Sequence, residues 1–524
     1  MKKLIIYFSI AILWLGCVIV FINSGKKAEE ESEHDFTVLA VKEDVVKDYN
    51  SMPVFQKIAK DTGKDVYYTY NTSVQYNNNP DPVGISGIDA IYHTGFSNLK
   101  LYNYGKRKRI VAIDEYLSYM PNFSKILEER PDIRIALTSP DGHIYSLPRV
   151  EEMGLRSYPN ILFINKKLLL EMINNDTMPV KKIKETDLVD GLDLSRNEFK
   201  EILRVFNKMD GIVPLNFVSG NWQGNESDLI ASFGLAENRE HKTIIDGKVT
   251  FTITSEVWFD AVCELNSWYH ENLIRSASFT QDQDTFLAKG QNGSYGAFYW
   301  WEKETVVSNP DDYIIVKPLK NDDGNRYVGV SNELEIEKGE CVILESCKDK
   351  AGLLSYFDKF FEPDYSAQLN YGSVESGAFK AEKENGKLIP NDDHGQQSAD
   401  DFRMKNAAYG VMFLTENEWQ NSVEMESRAK LRLERLEKFI KPYTYSGATS
   451  IPVLNYTEEE LNLLNVSESS LGNNILNWMT KSITKEKPTK DDWIKFVHDN
   501  QASIDMILKI NQDAYDRYLT DTQK

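Results

Sequence analysis

Short apolar runs alternate with amphipathic stretches along most of the chain. Runs rich in β-branched and aromatic residues predict strands at residues 36–41, 66–70 and 88–92. Helical spacing of apolar residues, beginning with or preceded by a proline, predicts helices at residues 53–61 and 123–129. Strands that alternate with helices in this way are typical of an α/β fold with a mostly parallel sheet.

The same alternation begins again near Ile161 and predicts a second α/β unit. This unit includes a predicted helix at residues 196–208. We expect the polar stretch at residues 386–402 to be a surface excursion. From Glu416 onward the pattern is strongly helical. A further strand is predicted at residues 313–317. We therefore predict a first lobe formed by residues 36–150 and 312–375, and a second lobe formed by residues 151–311 and 376–524, with extra C-terminal helices.

The first 24 residues have the pattern of an export segment. Lys2 and Lys3 precede an uncharged apolar run over residues 4–22. This run is long enough to span a bilayer as an uncleaved anchor. Alternatively, the sequence Leu-Gly-Cys ending at Cys17 is similar to the end of a bacterial lipobox, in which case Cys17 is the lipidated residue. Residues 25–35 form a charged tether, so both versions place the folded body outside the membrane.

Charge and cysteine content narrow the possible functions. The chain has 60 basic and 80 acidic residues, a net charge of −20, which argues against nucleic-acid binding. Its 4 cysteines include no CxxC pair, so neither a disulfide scaffold nor a zinc ribbon is expected. One disulfide between Cys341 and Cys347 stays open. The chain has no HExxH, GxSxG or GxxxxGK[ST] motif, and adjacent carboxylates rarely face one substrate, so we do not expect an enzyme.

Several short motifs occur in a fixed order from Phe36 to Tyr518. Residues 139–148 read Ser-Pro-Asp-Gly-His-Ile-Tyr-Ser-Leu-Pro, residues 279–289 contain Phe-Thr-Gln-Asp and Phe-Leu-Ala-Lys, and residues 510–517 read Ile-Asn-Gln-Asp-Ala-Tyr-Asp-Arg. Through these motifs the chain resembles the extracellular solute-binding lipoproteins of ABC importers, in the large branch found in Gram-positive bacteria. The resemblance implies a two-lobed fold like that of type II periplasmic binding proteins, with a hinge and an interlobe cleft.

Two stretches depart from the family pattern. Residues 207–214 lack the alternating oxygen ligands of a calcium loop, so we expect no metal there and no cofactor. At residues 165–168 the chain reads Asn-Lys-Lys-Leu where relatives have Arg-Lys-Asp-Trp, so a ligand contact from that tryptophan is not expected.

Candidate ligand contacts lie just after the predicted strands. Solutes bind beyond the carboxyl ends of strands in open α/β sheets, and a sugar needs an aromatic plane for its C–H face and polar groups for its hydroxyls. The predicted contacts are Tyr92, His93, Phe96, Arg149, Glu151, Asn221, Trp222, Tyr299, Trp300, Trp301 and Glu302. Which of Trp300 and Trp301 faces the cleft stays open. The tryptophans expected in the core are Trp258, Trp268, Trp478 and Trp493.

The expected function is binding without chemistry. A monomeric receptor, tethered at the outer face of the cell membrane, would capture a solute, most naturally an oligosaccharide, and deliver it to ABC permease subunits. Two alternatives stay open: a receptor for a peptide or another nutrient, and a sensor or adhesin ectodomain that serves no transporter.

Overall fold

The computed structural model describes residues 34–333, 335–395 and 397–522. The predicted export segment with Cys17, and most of the charged tether, lie outside these residues. Within the described ranges, no helix has both the length and the apolar character that crossing a membrane requires.

Thirteen strands of the described residues form three sheets. In chain order they are β1 (Phe36–Val41), β2 (Val66–Asn71), β3 (Ala90–Tyr92), β4 (Leu147–Glu151), β5 (Ile161–Asn165), β6 (Val213–Asn216), β7 (Lys242–Ile245), β8 (Lys248–Phe251), β9 (Tyr295–Trp300), β10 (Tyr313–Val316), β11 (Ile336–Ile343), β12 (Met412–Leu414) and β13 (Ala448–Thr449). The small third sheet has the order β13-β7-β8.

The strands are connected largely by helices. The α-helices of the described residues are α1 (Pro53–Thr62), α2 (Ser73–Asn77), α3 (Asn98–Lys106), α4 (Pro121–Glu129), α5 (Pro131–Leu137), α6 (Lys166–Asn174), α7 (Arg196–Phe206), α8 (Ser227–Ala231), α9 (Glu256–His270), α10 (Gln283–Gly290), α11 (Lys303–Val306), α12 (Lys350–Asp358), α13 (Pro363–Tyr371), α14 (Ala399–Asn406), α15 (Glu416–Asn421), α16 (Ser427–Phe439), α17 (Glu458–Thr484) and α18 (Lys490–Thr522). Short 3₁₀ helices lie at Tyr49–Ser51, Pro82–Gly84, Ile113–Tyr119, Glu185–Asp187, Thr252–Thr254, Ser276–Phe279, Pro310–Asp312, Lys359–Phe361 and Lys441–Tyr443.

The first sheet has six strands in the order β12-β4-β11-β3-β1-β2. Strand β1 runs parallel to β2 and β3, but β11 lies antiparallel to β3 and β4. Helices α1, α4 and α12 pack against this sheet and bury Ile58, Phe123 and Leu353. The predicted mostly parallel sheet is therefore a mixed one, because β11 returns from the other lobe and does not follow a helical crossover.

The second sheet has four strands in the order β10-β5-β9-β6. Strand β5 lies antiparallel to β9 and β10, while β6 runs parallel to β9. Helix α7 covers this sheet through Phe199 and Phe206, both fully buried. Two sheets with helices packed on them confirm the predicted α/β class.

Two strands lie in the sheet opposite to the one expected. Tyr313–Val316, expected in the first lobe, pairs with β5 in the four-stranded sheet. Met412–Leu414, expected in the second lobe, pairs with β4 in the six-stranded sheet. Both are edge strands, and the residue pattern of an edge strand predicts a strand without identifying its neighbour. The division of the whole chain into domains stays a prediction.

The C-terminal helices α17 and α18 pack on α9 and extend the second lobe. Trp258 of α9 stacks on Trp478 of α17, with ring centroids 5.6 Å apart, and Phe259 stacks on Trp493 of α18 at 5.5 Å. Trp268 is 1% exposed in the same cluster. The four tryptophans that we expected in the core therefore lie there.

Three segments cross between the two lobes. Residues 152–160 join β4 to β5, residues 317–333 and 335 lie between β10 and β11, and residues 415–426 lead from β12 to helix α16, which packs on the second lobe. The first two contact each other, since the Glu335 carboxylate accepts hydrogen bonds from the backbone N–H groups of Gly154 at 3.1 Å and Leu155 at 3.0 Å. The Ser331 N–H donates to the Ser157 carbonyl at 3.0 Å. These hydrogen-bonded connections form the base of a cleft between the sheets.

Candidate functional site

A cavity of about 580 Å³ lies between the two sheets, beside the connecting segments. Its walls are formed by residues at and near the strand ends of both sheets and by helix α16 (Ser427–Phe439). The charged side chains of the wall are Glu151, Arg156, Glu302, Glu333, Glu335, Asp400, Arg403, Glu426, Arg428 and Arg432. The aromatic ones are Trp222, Trp300, Trp301, Tyr371 and Tyr409. The volume is in the range of sites that hold small molecules.

Two tryptophan rings from different loops meet in this wall. Trp301 follows the last residue of β9, and Trp222 lies in the loop after β6. Their ring centroids are 5.2 Å apart and their planes are inclined at 59°. The Trp222 loop is held by its own backbone, because the Val218 N–H donates to the Gly224 carbonyl at 2.8 Å. Both rings are half-buried, so each offers an accessible aromatic surface.

The neighbouring Trp300 points the other way. It is 2% exposed and stacks on Phe286, with ring centroids 4.5 Å apart. Gly224, at a φ of +67°, lies against the Trp300 ring, and any side chain at this position would clash with the ring. Side chains alternate across a strand, so one of two adjacent residues faces the core. Trp301 is therefore the cleft residue, and Trp300 reaches the cavity only from within the core.

Arg432 of helix α16 supports Trp301 from behind. Its guanidinium carbon lies 3.4 Å from the centroid of the Trp301 ring. The same guanidinium donates hydrogen bonds to the Trp301 carbonyl and, at 2.6 Å, to the Tyr158 carbonyl. Arg432 is 1% exposed, and burial lowers the pKa of its guanidinium. The planar guanidinium thus fixes the Trp301 ring by stacking and by hydrogen bonding at once.

An ion-pair chain crosses the cavity between the lobes. Arg428 contacts Glu302, after β9, at 2.5 Å and Asp400, on α14, at 2.7 Å. Glu302 is 2% exposed, and burial raises the pKa of its carboxyl while Arg428 opposes this effect. Arg428 is therefore the charged link between the second-sheet side and the first-sheet side of the cavity.

A second charged cluster surrounds Glu151 at the end of β4. Its carboxylate accepts hydrogen bonds from Arg149 at 2.6 Å, from Arg403 at 3.3 Å and from the Tyr371 hydroxyl. Burial alone would raise the pKa of Glu151, but Arg149 and Arg403 more than offset this effect and hold the pKa well below its usual value. Above Arg149, the Tyr409 ring lies 4.1 Å from the guanidinium carbon and is 43% exposed. The cluster places a charged carboxylate and a tyrosine ring at the cavity.

Several predicted contacts lie outside the cavity wall. Tyr92 and Phe96 are buried in the core of the first lobe, and Tyr299 packs on the opposite face of β9. His93 pairs with Glu340 at 2.8 Å, beside the end of β3. In these cases the residues at a strand's end alternate between core and surface, and the sequence did not reveal which residue faced which side.

Two further predicted residues do not line the cavity themselves but contact residues that do. Arg149 is 1% exposed and reaches the cavity only through Glu151 and Tyr409. The Asn221 amide donates to the Gln223 carbonyl at 2.9 Å and so shapes the Trp222 loop. The predicted residues whose side chains line the cavity are Glu151, Trp222, Trp300, Trp301 and Glu302.

Six arginines and tyrosines of the cavity wall were not predicted, and all but Arg156 come from the later part of the chain. The missed residues are Arg156, Tyr371, Arg403, Tyr409, Arg428 and Arg432. Asp400 lies at the end of the stretch that was expected to be a surface excursion and Arg403 directly follows it, and α14 places both at the cavity. One signal was available, because Arg428 and Arg432 are four residues apart in a helical stretch and so share one helix face.

A larger groove of about 1080 Å³ lies on the other face of α16. It is lined there by Lys430, Leu433 and Glu437. The Trp222 and Trp301 rings do not line this groove, so we assign the solute site to the smaller cavity. Among residues 34–333, 335–395 and 397–522, no group of three or more His, Cys, Asp or Glu side chains is arranged to hold a metal ion.

Comparison with known proteins gives one curated relative of high coverage. The chain is 26% identical over 495 residues to the fructooligosaccharide ABC transporter substrate-binding protein FusA of Streptococcus pneumoniae serotype 4, which covers 90% of this chain and 88% of that protein. No model of a known protein family matches the sequence.

Solved structures give the same fold. The structure of S. pneumoniae FusA in complex with kestose has a TM-score of 0.82 at 23% identity and covers 93% of this chain and 99% of that one. An HMO-binding solute-binding protein of Bifidobacterium longum infantis has a TM-score of 0.74 at 16% identity, with 92% and 98% covered. The alginate-binding protein AlgQ2 has a TM-score of 0.68 at 17% identity, with 93% and 99% covered. These comparisons confirm the predicted resemblance: the chain has the fold and the sequence likeness of the extracellular solute-binding proteins of ABC transporters.

Proposed function

We propose that this protein captures an oligosaccharide and delivers it to an ABC permease. The observation that carries the proposal is the pair of half-buried rings, Trp222 and Trp301, beside the charged groups of Glu302 and Arg428. A sugar ring stacks its C–H face on an aromatic plane, while carboxylates and guanidinium groups take its hydroxyls. The proposed contacts are the predicted residues Glu151, Trp222, Trp301 and Glu302, together with Arg403, Arg428 and Tyr409.

The relatives support this ligand class. FusA is named for fructooligosaccharides, its structure holds kestose, and the B. longum protein is described as HMO-binding. The alternative of a peptide receptor has no comparable support among these relatives. Kestose is accordingly the first probe for this chain.

The proposed mechanism is binding without any chemical step on the solute. Glu151 and Arg403 lie on the first-sheet side of the cavity, while Trp222 and Trp301 lie on the second-sheet side. A solute that contacts both sides stabilises the closed arrangement of the lobes, and the permease would recognise that arrangement. The measured affinity is then the intrinsic affinity reduced by the fraction of empty protein that is closed.

The partners and the anchoring are part of the same proposal. Export through the segment before residue 25 would place the folded body at the outer face of the cell membrane, held by a lipid on Cys17 or by an uncleaved helix. The charged tether at residues 25–35 would then let a monomeric receptor reach the permease subunits.

The test is calorimetric titration of the full chain, kept in mild detergent, with kestose, a human milk trisaccharide and a tripeptide. A saccharide should bind with 1:1 stoichiometry, and at a hundredfold excess over the dissociation constant it should stabilise the fold by about 2.7 kcal/mol. The variant Trp222→Ala/Trp301→Ala should lose this binding. The control Tyr119→Ala removes an aromatic ring that is 53% exposed and distant from the cavity, so it should leave binding unchanged.

The other outcomes distinguish the alternatives. Binding of the tripeptide alone would replace the oligosaccharide with a peptide and keep the receptor function. Binding of none of a broad panel would favour the sensor or adhesin ectodomain. Saccharide binding that survives the double variant would keep the ligand class but remove the assigned site.

A further inference from the structure

A second cavity, of about 320 Å³, lies inside the second lobe, behind the Trp222 loop. Gly220, Asn225 and Glu226 of this loop line the second cavity, while Trp222 and Gln223 of the same loop line the solute cavity. The opposite wall is formed by helix α17 (Glu458–Thr484). The two cavities are thus separate spaces on the two sides of one loop.

Two buried carboxylates in this second cavity each have one oxygen without a hydrogen bond. Glu226 is 3% exposed and Glu237 is 1% exposed. One oxygen of Glu226 accepts from the Ser219 hydroxyl at 2.5 Å, and one oxygen of Glu237 contacts His241. The Oε2 atom of each has no hydrogen-bond partner among the residues that the structure describes, and the same is true of Oε2 of the half-buried Glu240, which also lines the cavity. A buried carboxylate oxygen is stabilised only by a donor, so these atoms indicate a ligand that donates hydrogen bonds.

The basic side chains that line the cavity already form ion pairs with glutamates. Lys242 contacts Glu468 at 2.6 Å, and Arg239 contacts Glu240 at 2.5 Å. His241 contacts Glu237, which raises the pKa of the imidazole against the effect of its burial. The lining therefore holds four glutamates, Glu226 among them, against three basic side chains. Thus the lining has one more acidic side chain than it has basic side chains.

Burial raises the pKa of the Glu226 carboxyl, and the hydrogen bond from Ser219 and the nearby His241 offset this effect only in part. A cation bound beside Glu226 would reverse this effect by stabilising the ionised form.

Part of the cavity wall is apolar. This part includes Ile230, Phe251, Leu471, Ile475, Met479 and Ile507. An inorganic ion would leave this surface without a contact, whereas an aliphatic chain would cover it and gain from its own removal from water. The cavity therefore has one acidic side and one aliphatic side.

We propose that the second cavity binds a small organic cation, in which a primary ammonium group donates to Glu226 and Glu237 and a short aliphatic body packs against α17. An ammonium group has three donors and one positive charge, which matches the unpartnered carboxylate oxygens of Glu226, Glu237 and Glu240 and a deficit of one charge. The cation would bind in a cavity that is separate from the oligosaccharide site. Because one loop lines both cavities, the bound cation would stiffen the loop that carries Trp222.

The test is calorimetric titration of the full chain in mild detergent with n-butylammonium chloride. We expect saturable 1:1 binding that is at least tenfold tighter than binding of 1-pentanol, a neutral molecule of similar size. Glu226→Gln should weaken butylammonium binding at least tenfold. The control Glu459→Gln removes an exposed carboxylate on the same helix α17 and should leave binding unchanged.

A second variant covers the case in which Glu226→Gln does not fold. Gly472 lies at the mouth of the cavity on α17, and a Cβ added there meets no atom within 4 Å. Gly472→Leu should fold, because leucine favours a helix more than glycine does, and its side chain should block entry of butylammonium.

Three results would overturn the proposal. Absence of butylammonium binding would mean that water alone satisfies the two carboxylates. Equal binding of 1-pentanol would show an apolar cavity without charge recognition. Binding of calcium chloride in place of butylammonium would show a metal site.

Discussion

The guanidinium carbon of Arg432 lies over the indole of Trp301, 3.4 Å from the ring centroid, and the guanidinium donates to the same residue's carbonyl. A side chain from helix α16 thus orients an aromatic ring that belongs to the end of strand β9. Because α16 is reached only after the third connection between the lobes, the position of Trp301 depends on how the lobes are joined.

Replacement of Arg432 by lysine should weaken both folding and binding. Lysine keeps the charge but lacks the planar group that bonds the carbonyls of Trp301 and Tyr158 and stacks on the ring. We expect the free energy of unfolding to fall by about 1–3 kcal/mol, since buried carbonyls lose their donors. Kestose affinity should fall as well, measured by titration calorimetry at a temperature where the variant is folded.

The matched control is Arg435→Lys on the next turn of the same helix. Arg435 pairs with Glu304 and lies outside the solute cavity, so the lysine keeps an ion pair and kestose affinity should not change. Equal losses of affinity in both variants would show that Arg432 has no special relation to Trp301.

Replacement of Trp300 by alanine should mainly reduce stability, whereas replacement of the adjacent Trp301 should mainly reduce ligand affinity. Trp300 is 2% exposed and stacked on Phe286, so Trp300→Ala should lower the free energy of unfolding by about 3–5 kcal/mol. Trp301 is half-buried at the cavity, so Trp301→Ala should cost less stability and lower kestose affinity about tenfold or more. Denaturant unfolding and calorimetric titration measure the two effects separately. A greater stability loss for Trp301→Ala would contradict the assigned orientations.

The Glu151 cluster should make stability depend on pH in the acidic range. The pKa of Glu151 is lower in the folded protein than in the unfolded chain, because Arg149 and Arg403 stabilise its charge. The unfolded chain therefore takes up the proton first, so the contribution of Glu151 is present above about pH 5 and is lost as the pH falls. At neutral pH, Glu151→Gln should cost about 3–5 kcal/mol, since it leaves buried guanidinium groups uncompensated.

The comparison is made by denaturant unfolding from neutral pH downward. The stability difference between the unmodified chain and Glu151→Gln should shrink as the pH falls, while Glu459→Gln should stay close to the unmodified chain throughout. A difference that is constant across this range would mean that the pKa of Glu151 is the same in the folded and the unfolded protein.

The three cysteines of the described residues should be present as buried thiols. Cys263, Cys341 and Cys347 are free and buried, so the disulfide left open by the sequence does not form between Cys341 and Cys347. Burial raises the pKa of Cys347 to about 12, and a protonated buried thiol is unreactive. Ellman's reagent should therefore react slowly with these three thiols in the native protein at about pH 8 and rapidly with them in the unfolded protein.

The number of thiols in the unfolded protein also reports on the amino terminus. Three thiols are expected if Cys17 carries a lipid, and four if it is free, because the chain has 4 cysteines. Two fewer thiols, restored by a reductant, would show that Cys341 and Cys347 pair after all.

The amino-acid sequence alone determined the local elements. Apolar runs predicted strands β1 and β2, and proline-led amphipathic runs predicted α1 and α4, because these patterns depend on residues that are near one another in the chain. The order of motifs along the chain also identified the fold, and the aromatic residues after β9 indicated the site. The alternation of side chains showed that Trp300 and Trp301 face opposite ways, without showing which way.

Only the tertiary structure decided how distant segments meet. Arg403, Arg428 and Arg432 reach the cavity because the chain crosses between the lobes three times, and no local pattern encodes where a crossing places a helix. For the same reason β10 and β12 lie in the sheets opposite to those expected. An edge strand pairs, and two lobes make contact, through surfaces that exist only after the chain has folded. The sequence therefore predicted candidate residues for the site, and the packing of the lobes determined which residues line the cavity.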